Sequence, residues 1–360
     1  MICIVYGGES CEHDISVITA LSVYNAIKRN KKTLLVYQKN DSFYIGKKLS
    51  EIKTYKDFSE KGLKKAYFQN GCLYVKSLIK DKRIKIECAV MCNHGGSGED
   101  GGLSGYFETV GVPYTASGVF GSGVCMDKVY TKLLLEKLKF PTVNYRIYRA
   151  GYKVEKIENM EFPLIIKPAR SGSSVGIAYA NDGKELRDGI DFAIRFDDKL
   201  LIEKALTNFR EFNCAVFEGK DGIVVSEVEE VFFKKEYLDF YDKYMSDGEG
   251  GRKIPAQINE KLGERIKRMT KEIYLLLELK GVVRVDYMYC EGKLYVNEIN
   301  TIPGALAGYM FRDGGIDAEE LVDSIIYAAK KEFERKRKLT RDFSSNVLKN
   351  YSGIKEGIKK

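Results

Sequence analysis

The sequence predicts an α/β region followed by an α+β region, for three reasons. A β-rich run that ends at Gly7-Gly8 is followed by a segment of helical period and a second β-rich run, which is the pattern of a βαβ unit. From residue 162 onward, short β-rich runs dominate, with few helices between them. The chain has 360 residues, 44% of them hydrophobic, which is enough for two or three domains around a shared cleft.

The first half of the chain opens on the βαβ unit and continues into a polar elaboration. Ser10 is the expected N-cap of the first helix, and Asn70-Gly71 signals a hairpin inside the Lys-rich stretch 40–85. Glycines at 95, 96, 98, 101 and 102 then form a flexible segment after a strand. The expected strands are 1–6, 33–37 and 84–91, and the expected helices are 12–28, a short one ending near 110, and 126–138.

The second half is mostly β-structure. A Ser/Gly loop at 170–176 separates two strands, and a last helix begins near 318. The expected strands are 163–167, 177–180, 199–204, 210–217, 223–231, 282–290 and 293–299, and the other helices are 184–196 and 259–279. We expect domains at 1–92, 93–180 and 181–340, a lid loop at 232–253 and a basic tail at 341–360.

Charge and cysteine usage exclude several classes of protein. The 59 Lys and Arg against 51 Asp and Glu give +8, of which residues 330–360 contribute +7 (eleven basic minus four acidic), so the body is nearly neutral. That distribution gives no general case for nucleic-acid binding. No apolar run approaches the length of a membrane span, and the start lacks a signal peptide's basic region. Eight scattered cysteines without a CxxC pattern indicate reduced thiols in the cytoplasm.

The strongest chemical pattern is a hairpin near the C-terminus, RVDYMYCEGKLYVNEINTIPG. Residues two apart on a strand share a face, so Arg284 pairs with Asp286 on one strand and Glu298 with Asn300 on the other. A three-residue loop at 291–293 would place Asp286 directly opposite Glu298. Each of these residues alone would fit an exposed hairpin face with ordinary ion pairs. Two carboxylates and a carboxamide together favour Mg²⁺ held with substrate phosphates.

Two lysines and a Ser/Gly loop suggest a site for a triphosphate. In FPLIIKPARSGSSVG an apolar strand leads to Lys167, and the small residues that follow allow backbone N–H groups to approach phosphate oxygens. Lys128 begins a helix after another glycine-rich stretch. The loop alone is weak evidence for a phosphate site, because most Ser/Gly loops only connect strands. The chain also lacks a Walker A sequence.

The N-terminus of the first helix carries a second candidate site. Asp14 is explained by the helix dipole, whereas Glu12 fits better as a contact for a substrate ammonium group. The chain has two histidines, His13 and His94, and both lie in glycine-containing candidate segments. A single neutral histidine at a strand end is more often structural.

Together these segments resemble the D-alanine–D-alanine ligases of the ATP-grasp superfamily. The resemblance runs from about residue 2 to about residue 330, and it rests on GGESCEHDIS, HGGSGEDGGLSGYFETVGVPYTASGV, MDK, KPARSGSSVGIA and GVVRVDYMYCEGKLYVNEINTIPG. It implies an ATP-grasp fold, with an N-terminal βαβ domain followed by two α+β domains that enclose ATP. It also implies a cytoplasmic homodimer that makes D-alanyl-D-alanine for peptidoglycan through an acyl phosphate.

The resemblance assigns a role to each motif residue. Lys128 and Lys167 would hold phosphate oxygens of ATP, and the adenine and ribose would contact Glu203, Lys204, Leu206 and Glu211. Two Mg²⁺ ions, with Mn²⁺ as an alternative, would bind Asp286, Glu298 and Asn300. The first D-alanine and the reacting centre would be served by Glu12, Ser173, His94, Arg284 and the Gly304 N–H.

Two departures from the family pattern concern the second substrate. The lid string FYDKY is about three residues shorter than usual, and we align its end, Lys243-Tyr244, with the catalytic tyrosine of the family. Tyr309 stands where a serine is expected to reach the second substrate's carboxylate. We therefore expect weak binding of D-alanine as acceptor, or a different acceptor such as D-serine, D-lactate or another amino acid.

Two alternative functions, from other classes of protein, remain. A dinucleotide-dependent dehydrogenase would fit the opening βα turn, but the sequence lacks GxGxxG and Glu9 would repel a pyrophosphate. A nucleic-acid or membrane-surface binder would use the basic tail, although such terminal charge runs are usually solvated.

Overall fold

The computed structural model describes residues 1–151, 157, 160–232, 251–340 and 349. These residues form three β-sheets with helices packed on them. Most of the lid loop expected at 232–253, and nearly all of the basic tail, lie outside the described residues. In the part of the chain that is described, no helix is long and apolar enough to cross a membrane.

The first sheet confirms the βαβ unit. Strand β1 (Ile2–Gly7) pairs in parallel with β2 (Thr33–Lys39) and β7 (Cys88–Met91), and helix α1 (His13–Ile27) connects β1 to β2. The other strands form antiparallel hairpins, and Asn70 and Gly71 both have positive φ, as a tight hairpin turn requires. The seven strands are β1 (Ile2–Gly7), β2 (Thr33–Lys39), β3 (Ser42–Ile45), β4 (Lys64–Gln69), β5 (Cys72–Val75), β6 (Lys82–Lys85) and β7 (Cys88–Met91), with α2 (Lys53–Lys56) between β3 and β4.

Two expectations about this region are wrong. The single strand expected at 84–91 is two strands at opposite edges of the sheet, because the charged β6 is exposed whereas the apolar β7 is buried beside β1. Ser10 does not cap α1. The helix begins at His13, and the Ser10 hydroxyl accepts a bond from the Glu12 N–H and donates one to the His94 carbonyl.

Three helices lead from the first sheet to the second: α3 (Gly102–Val110), α4 (Val119–Met126) and α5 (Lys128–Lys137). The helix expected at 126–138 is α5, whereas α4 was not predicted. Asp127 separates the two helices, because it has an extended backbone and caps α5 by accepting bonds from the N–H groups of Val129 and Tyr130. Lys199 pairs with the buried Asp127 carboxylate. Lys128 therefore stands at the first position of a firmly capped helix.

The second sheet has the spatial order β10-β9-β11-β8 and is covered by α6 (Gly183–Ala193). Its strands are β8 (Tyr145–Arg149), β9 (Leu164–Pro168), β10 (Ala178–Ala180) and β11 (Lys199–Lys204). The domain boundary expected near residue 180 falls inside this sheet, since β11 pairs with both β8 and β9. The division of the chain into domains stays a proposal.

The third sheet has the order β15-β14-β12-β16-β17, with β13 also paired to β12. One face packs against α7 (Glu260–Leu276) through buried residues such as Phe212, Tyr287 and Ile273. The strand expected at 223–231 is two strands, β13 and β14. The six strands are β12 (Arg210–Gly219), β13 (Gly222–Val225), β14 (Glu229–Phe232), β15 (Gly251–Lys253), β16 (Val283–Cys290) and β17 (Lys293–Asn300).

The C-terminal part of the chain returns to the first sheet. A short 3-10 segment (Gly304–Phe311) follows β17, and α8 (Ala318–Arg337) packs with β1 and β7 in one hydrophobic core. Ala305, Leu306 and Ala307 all have positive φ, which is uncommon for residues other than glycine. This packing holds the 3-10 segment close to α1, and the polar face of the third sheet ends beside it.

Candidate active site

The third sheet has one apolar face and one polar face. On the polar face, Asp286 lies directly opposite Glu298, and Arg284 lies directly opposite Asn300. The four residues predicted to share one face of a hairpin therefore do so. Asn213 on β12 is the neighbour of Asp286 on the other side, which extends the polar face across the sheet.

The predicted reason for this register is wrong. The turn has two residues, Glu291 and Gly292, because Cys290 pairs with Lys293. A β-bulge next to Asp286 supplies the missing residue, since Tyr287 pairs with Val296 and leaves Asn297 without a partner in the ladder. The bulge also places the Asn297 amide oxygen 3.4 Å from the Lys167 ammonium. Sequence reasoning did not identify Asn297.

The charges on the polar face are closely paired. Arg284 donates two hydrogen bonds to Asp286, at 2.6 and 2.7 Å, and the Asn300 amide donates a third at 3.0 Å. Burial alone would lower the pKa of Arg284, but Asp286 holds that pKa well above its ordinary value. Arg284 is therefore a permanent cation at this point of the site.

The donor set on this face fits a magnesium ion that shares its ligands with a phosphate. Among the described residues, no group of three or more His, Cys, Asp or Glu side chains is placed to hold a metal. Asp286 and Glu298 supply two carboxylates and Asn300 supplies a carboxamide oxygen. Hard oxygen donors too few to enclose a cation suit Mg²⁺, which usually completes its shell with water and substrate phosphates.

A cleft of about 1070 Å³ lies between the second and third sheets, and we call it the Lys167 cleft. The Ser/Gly loop forms part of its wall, together with Asn297 and Glu298. All six residues predicted to bind ATP line it, namely Lys128, Lys167, Glu203, Lys204, Leu206 and Glu211. Motifs that are far apart in the sequence thus meet on one surface.

A buried charge cluster forms the floor of the Lys167 cleft. Glu203 is 2% exposed and pairs with Lys132 and Lys167, each at 2.7 Å. Burial would raise the pKa of Glu203, but the two lysines outweigh it and lower that pKa to about 2. Lys132 was not predicted, although it lies one helical turn after Lys128. The cluster fixes the position of the Lys167 ammonium.

A second cavity of about 1310 Å³ adjoins the cleft, and we call it the Glu12 cavity. It lies where α1, the Ser/Gly loop, the hairpin and the 3-10 segment meet. Its wall contains Glu12, Thr19, His94, Glu99, Lys128, Ser171, Gly172, Ser173, Arg252, Arg284, Glu298, Asn300, Gly304 and Tyr309. Lys128, Ser171, Gly172, Ser173 and Glu298 line both spaces, so a ligand in one can meet a ligand in the other there.

Glu12 and Ser173 come together from distant parts of the chain. The Ser173 hydroxyl donates a hydrogen bond to the Glu12 carboxylate. A Cβ on Gly172 would stand only 2.4 Å from that carboxylate, so a side chain at this position would displace the Glu12 carboxylate. Lys128 donates a 2.5 Å bond to the Ser171 carbonyl and holds the loop from the other side.

His94 and Glu99 give the Glu12 cavity unusual titration properties. The His94 ring bonds the Thr19 hydroxyl at 3.0 Å, and burial together with Arg284 lowers its pKa to about 4. Burial and the nearby Glu12 raise the pKa of Glu99 to about 7. His94 is thus neutral at pH 7. Glu99 was missed, although it belongs to the same HGGSGEDG segment as His94.

Tyr309 lies on the cavity wall, but its hydroxyl is already in use. It contacts the buried Glu229 carboxylate at 3.2 Å, and burial raises the Tyr309 pKa to about 12, so the phenol is protonated and donates. Gly304 lies on the same wall, at the start of the 3-10 segment. The predicted catalytic residue Tyr244 falls outside the described residues.

Comparisons with known proteins found relatives that cover most of the chain. The family model for the D-ala D-ala ligase N-terminus matches residues 1–117, and the model for the D-ala D-ala ligase C-terminus matches residues 134–327. A D-alanine–D-alanine ligase from Thermosipho melanesiensis is 37% identical and aligns over 96% of this chain and 97% of its own length. A D-alanine–D-alanine ligase from Campylobacter jejuni is 33% identical and aligns over 89% of this chain and 92% of its own length.

Solved structures show the same fold. A D-alanine–D-alanine ligase from Helicobacter pylori is 26% identical, covers 90% of this chain and 98% of its own, and has a TM-score of 0.75. The VanG D-Ala:D-Ser ligase from Enterococcus faecalis is 27% identical, over 91% and 98%, with a TM-score of 0.77. A D-alanine–D-alanine ligase from Bacillus anthracis complexed with ATP is 23% identical. It covers 93% of this chain and 99% of its own, with a TM-score of 0.69. The expected ATP-grasp fold is confirmed, and the chain belongs to the D-alanine–D-alanine ligase family.

Proposed function

We propose that the protein joins two D-alanines into D-alanyl-D-alanine at the expense of ATP, for peptidoglycan synthesis in the cytoplasm. The observation that supports this most is the wall shared by the Lys167 cleft and the Glu12 cavity. It is where the terminal phosphate of a nucleotide in the cleft would meet the carboxylate of an amino acid in the cavity. The fold is also that of the Bacillus anthracis ligase complexed with ATP.

The Lys167 cleft suits ATP. Lys128 and Lys167 supply two cations for phosphate oxygens, and the Ser/Gly loop between β9 and β10 supplies backbone N–H groups. Phosphoryl transfer depends mostly on positioning and on neutralisation of charge, which fixed lysines provide. The adenine and ribose would contact Glu203, Lys204, Leu206 and Glu211.

The hairpin residues Asp286, Glu298 and Asn300 would hold Mg²⁺. When bound, the metal would neutralise phosphate oxygens and align the terminal phosphoryl group with its acceptor. Glu298 lines both the cleft and the cavity, so it stands where that alignment is needed. Mn²⁺ has similar ligand preferences and is an alternative.

In the Glu12 cavity, Glu12 would bind the ammonium of the first D-alanine and so turn its carboxylate toward the shared wall. A carboxylate oxygen attacks the terminal phosphorus of ATP, which gives D-alanyl phosphate and ADP. The amine of the second D-alanine then attacks the acyl carbon, and the tetrahedral intermediate expels inorganic phosphate as the new amide forms. Arg284 and the Gly304 N–H would stabilise the negative oxygen of that intermediate. His94, which is neutral and bonded to Thr19, would shape the first substrate's pocket.

The test is a panel of amino acids and hydroxy acids incubated with ATP and Mg²⁺, with phosphate release and product mass as readouts. D-alanine alone should release one phosphate and one ADP for each dipeptide formed. D-serine and D-lactate, supplied with D-alanine, test the alternative that the acceptor differs. Absence of a D-alanyl product with every acceptor would contradict the proposal.

A further inference from the structure

We propose that Arg252 binds the carboxylate of the acceptor substrate and makes the enzyme select acceptors that carry a free carboxylate. The proposal rests on the proposed function and deepens it, because it identifies a specificity residue at the same site. Tyr309 occupies the position from which a small hydroxyl side chain was expected to reach that carboxylate. In the structure, the Tyr309 hydroxyl is engaged with Glu229 instead.

The Tyr309 hydroxyl is directed to protein, not to substrate. Its 3.2 Å contact is with Glu229, which is fully buried and also accepts a 2.9 Å bond from the Asn213 amide. A hydroxyl that donates to a buried carboxylate has no second proton to offer. The tyrosine ring remains as an aromatic surface on the cavity wall.

Arg252 lies on that surface. Its guanidinium carbon stands 5.4 Å from the centre of the Tyr309 ring, a cation–π contact, and its Nε is 3.8 Å from the Glu229 carboxylate. At 3.8 Å, Arg252 and Glu229 form an ion pair but are too far apart for a hydrogen bond. No hydrogen bond joins Arg252 to another described residue, so within this part of the chain the guanidinium is held only by the tyrosine ring and the Glu229 charge.

The other cations of the Glu12 cavity are committed elsewhere. Within the described part of the chain, Lys128, Arg252 and Arg284 are the lysines and arginines on its wall. Arg284 gives two hydrogen bonds to Asp286, and Lys128 is bonded to Ser171 at the junction with the Lys167 cleft. Arg252, with a side chain that is 63% exposed, is the cation available for an anionic acceptor.

The same sheet contains a matched arginine that cannot reach the cavity. Arg210 stacks on Phe212 with its guanidinium carbon 4.9 Å from the ring centre, and it pairs with Glu230 at 2.6 Å. Adjacent strand residues point to opposite faces, so Glu230 and Arg210 lie on the face away from Glu229 and Arg252. Arg210 repeats the aromatic and glutamate contacts of Arg252 without lining the cavity, which makes Arg210→Ala the control.

The experiment uses D-alaninamide, which has no carboxylate to phosphorylate and can therefore act only as acceptor. Wild-type protein receives D-alanine with increasing D-alaninamide, and the ratio of D-alanyl-D-alanine to D-alanyl-D-alaninamide is measured by mass. Arg252→Ala should reduce the preference for the free acid by roughly 10- to 100-fold, the range for a lost hydrogen bond to a charged group. Arg252→Lys should restore part of it, and Arg210→Ala should keep the wild-type ratio.

Steady-state kinetics separate recognition from a structural role. Arg252→Ala should raise the KM for the second D-alanine and leave the KM values for ATP and the first D-alanine within about twofold. Arg252→Gln, which keeps most of the side-chain length, should behave like Arg252→Ala if charge is what matters. An unchanged product ratio in both variants, or a loss of preference in Lys243→Ala instead, would overturn the inference. A wild-type protein that makes neither product would contradict the proposed function itself.

Discussion

The Lys167 cleft and the Glu12 cavity share a wall but balance their charges in different ways. In the cleft, Glu203 is neutralised by Lys132 and Lys167, and the pKa of Glu203 falls to about 2. In the cavity, Glu99 and Glu12 oppose each other, and burial with that repulsion raises the pKa of Glu99 to about 7. Glu203 of the cleft therefore has its counter-charges without a ligand, whereas the ammonium of a substrate would relieve the repulsion between Glu12 and Glu99 in the cavity.

The largest expected effect is on stability, in the cleft. Glu203→Gln leaves Lys132 buried without its counter-charge, and breaking a buried pair typically costs about 3–5 kcal/mol. Urea unfolding at pH 7 measures the free energy of unfolding. Glu218→Gln, which breaks an exposed pair with Lys331, is the control and should cost less than about 1 kcal/mol.

The free energy of unfolding should also change with pH, in the direction that the pKa of Glu203 sets. The folded-state pKa of Glu203 is lowered to about 2 from an ordinary 4.5, so its contribution is present above pH 4.5 and is lost as the pH falls toward 2. Glu203→Gln should remove that acid sensitivity. Equal costs for Glu203→Gln and Glu218→Gln would contradict the claim that Glu203 and Lys132 form a buried ion pair that stabilises the fold.

The next effect concerns the shared wall. Glu298→Gln replaces a charged metal ligand by a neutral amide and should lower kcat/KM by roughly 100-fold or more, about 2.7 kcal/mol of transition-state stabilisation. Calorimetric titration of ADP in the presence and absence of Mg²⁺ provides a second readout, because the variant should lose the metal-dependent part of binding. Turnover close to wild type at saturating Mg²⁺ would refute the metal assignment.

How much of this could be read from the sequence differs between the two regions. Lys128, Lys167 and Glu203 belong to continuous motifs and line the cleft, as does Glu298 of the hairpin. Asn297 was missed because the bulge that exposes it depends on how two strands pair, which no local pattern specifies. The cavity depends more on tertiary packing, and Thr19 and Arg252 come from segments without a chemical motif of their own.

A third prediction separates the two regions by substrate. Glu12→Ala should raise the KM for the first D-alanine by roughly 10- to 100-fold, because an ammonium group loses its charged partner. Lys167→Ala should instead weaken ATP binding, because Lys167 lies in the cleft. Initial rates at varied ATP and varied D-alanine measure both constants. If Glu12→Ala raised the two KM values equally, the assignment of separate ligands to the cleft and the cavity would fail.

The smallest expected effect is the change with pH in the free energy of unfolding that Glu99 of the cavity causes when no ligand is bound. Since the folded-state pKa of Glu99 is raised to about 7, its contribution to stability is full below pH 4.5 and is lost as the pH rises through 7. One proton gives a slope of at most about 1.4 kcal/mol per pH unit. Glu99→Gln should flatten the unfolding free energy between pH 4.5 and 7, whereas Glu264→Gln, which changes an exposed glutamate on α7, should not. An unchanged slope in Glu99→Gln would show that Glu99 is not the group concerned.

The central claim is that ATP in the cleft phosphorylates the carboxylate of an amino acid in the cavity. D-alanine labelled with ¹⁸O in both carboxylate oxygens tests it directly, by mass analysis of the phosphate released. If the carboxylate attacks the terminal phosphorus and the acyl phosphate is then opened at carbon, each phosphate should carry one ¹⁸O for each dipeptide formed. Unlabelled phosphate, or label found in AMP, would contradict the account.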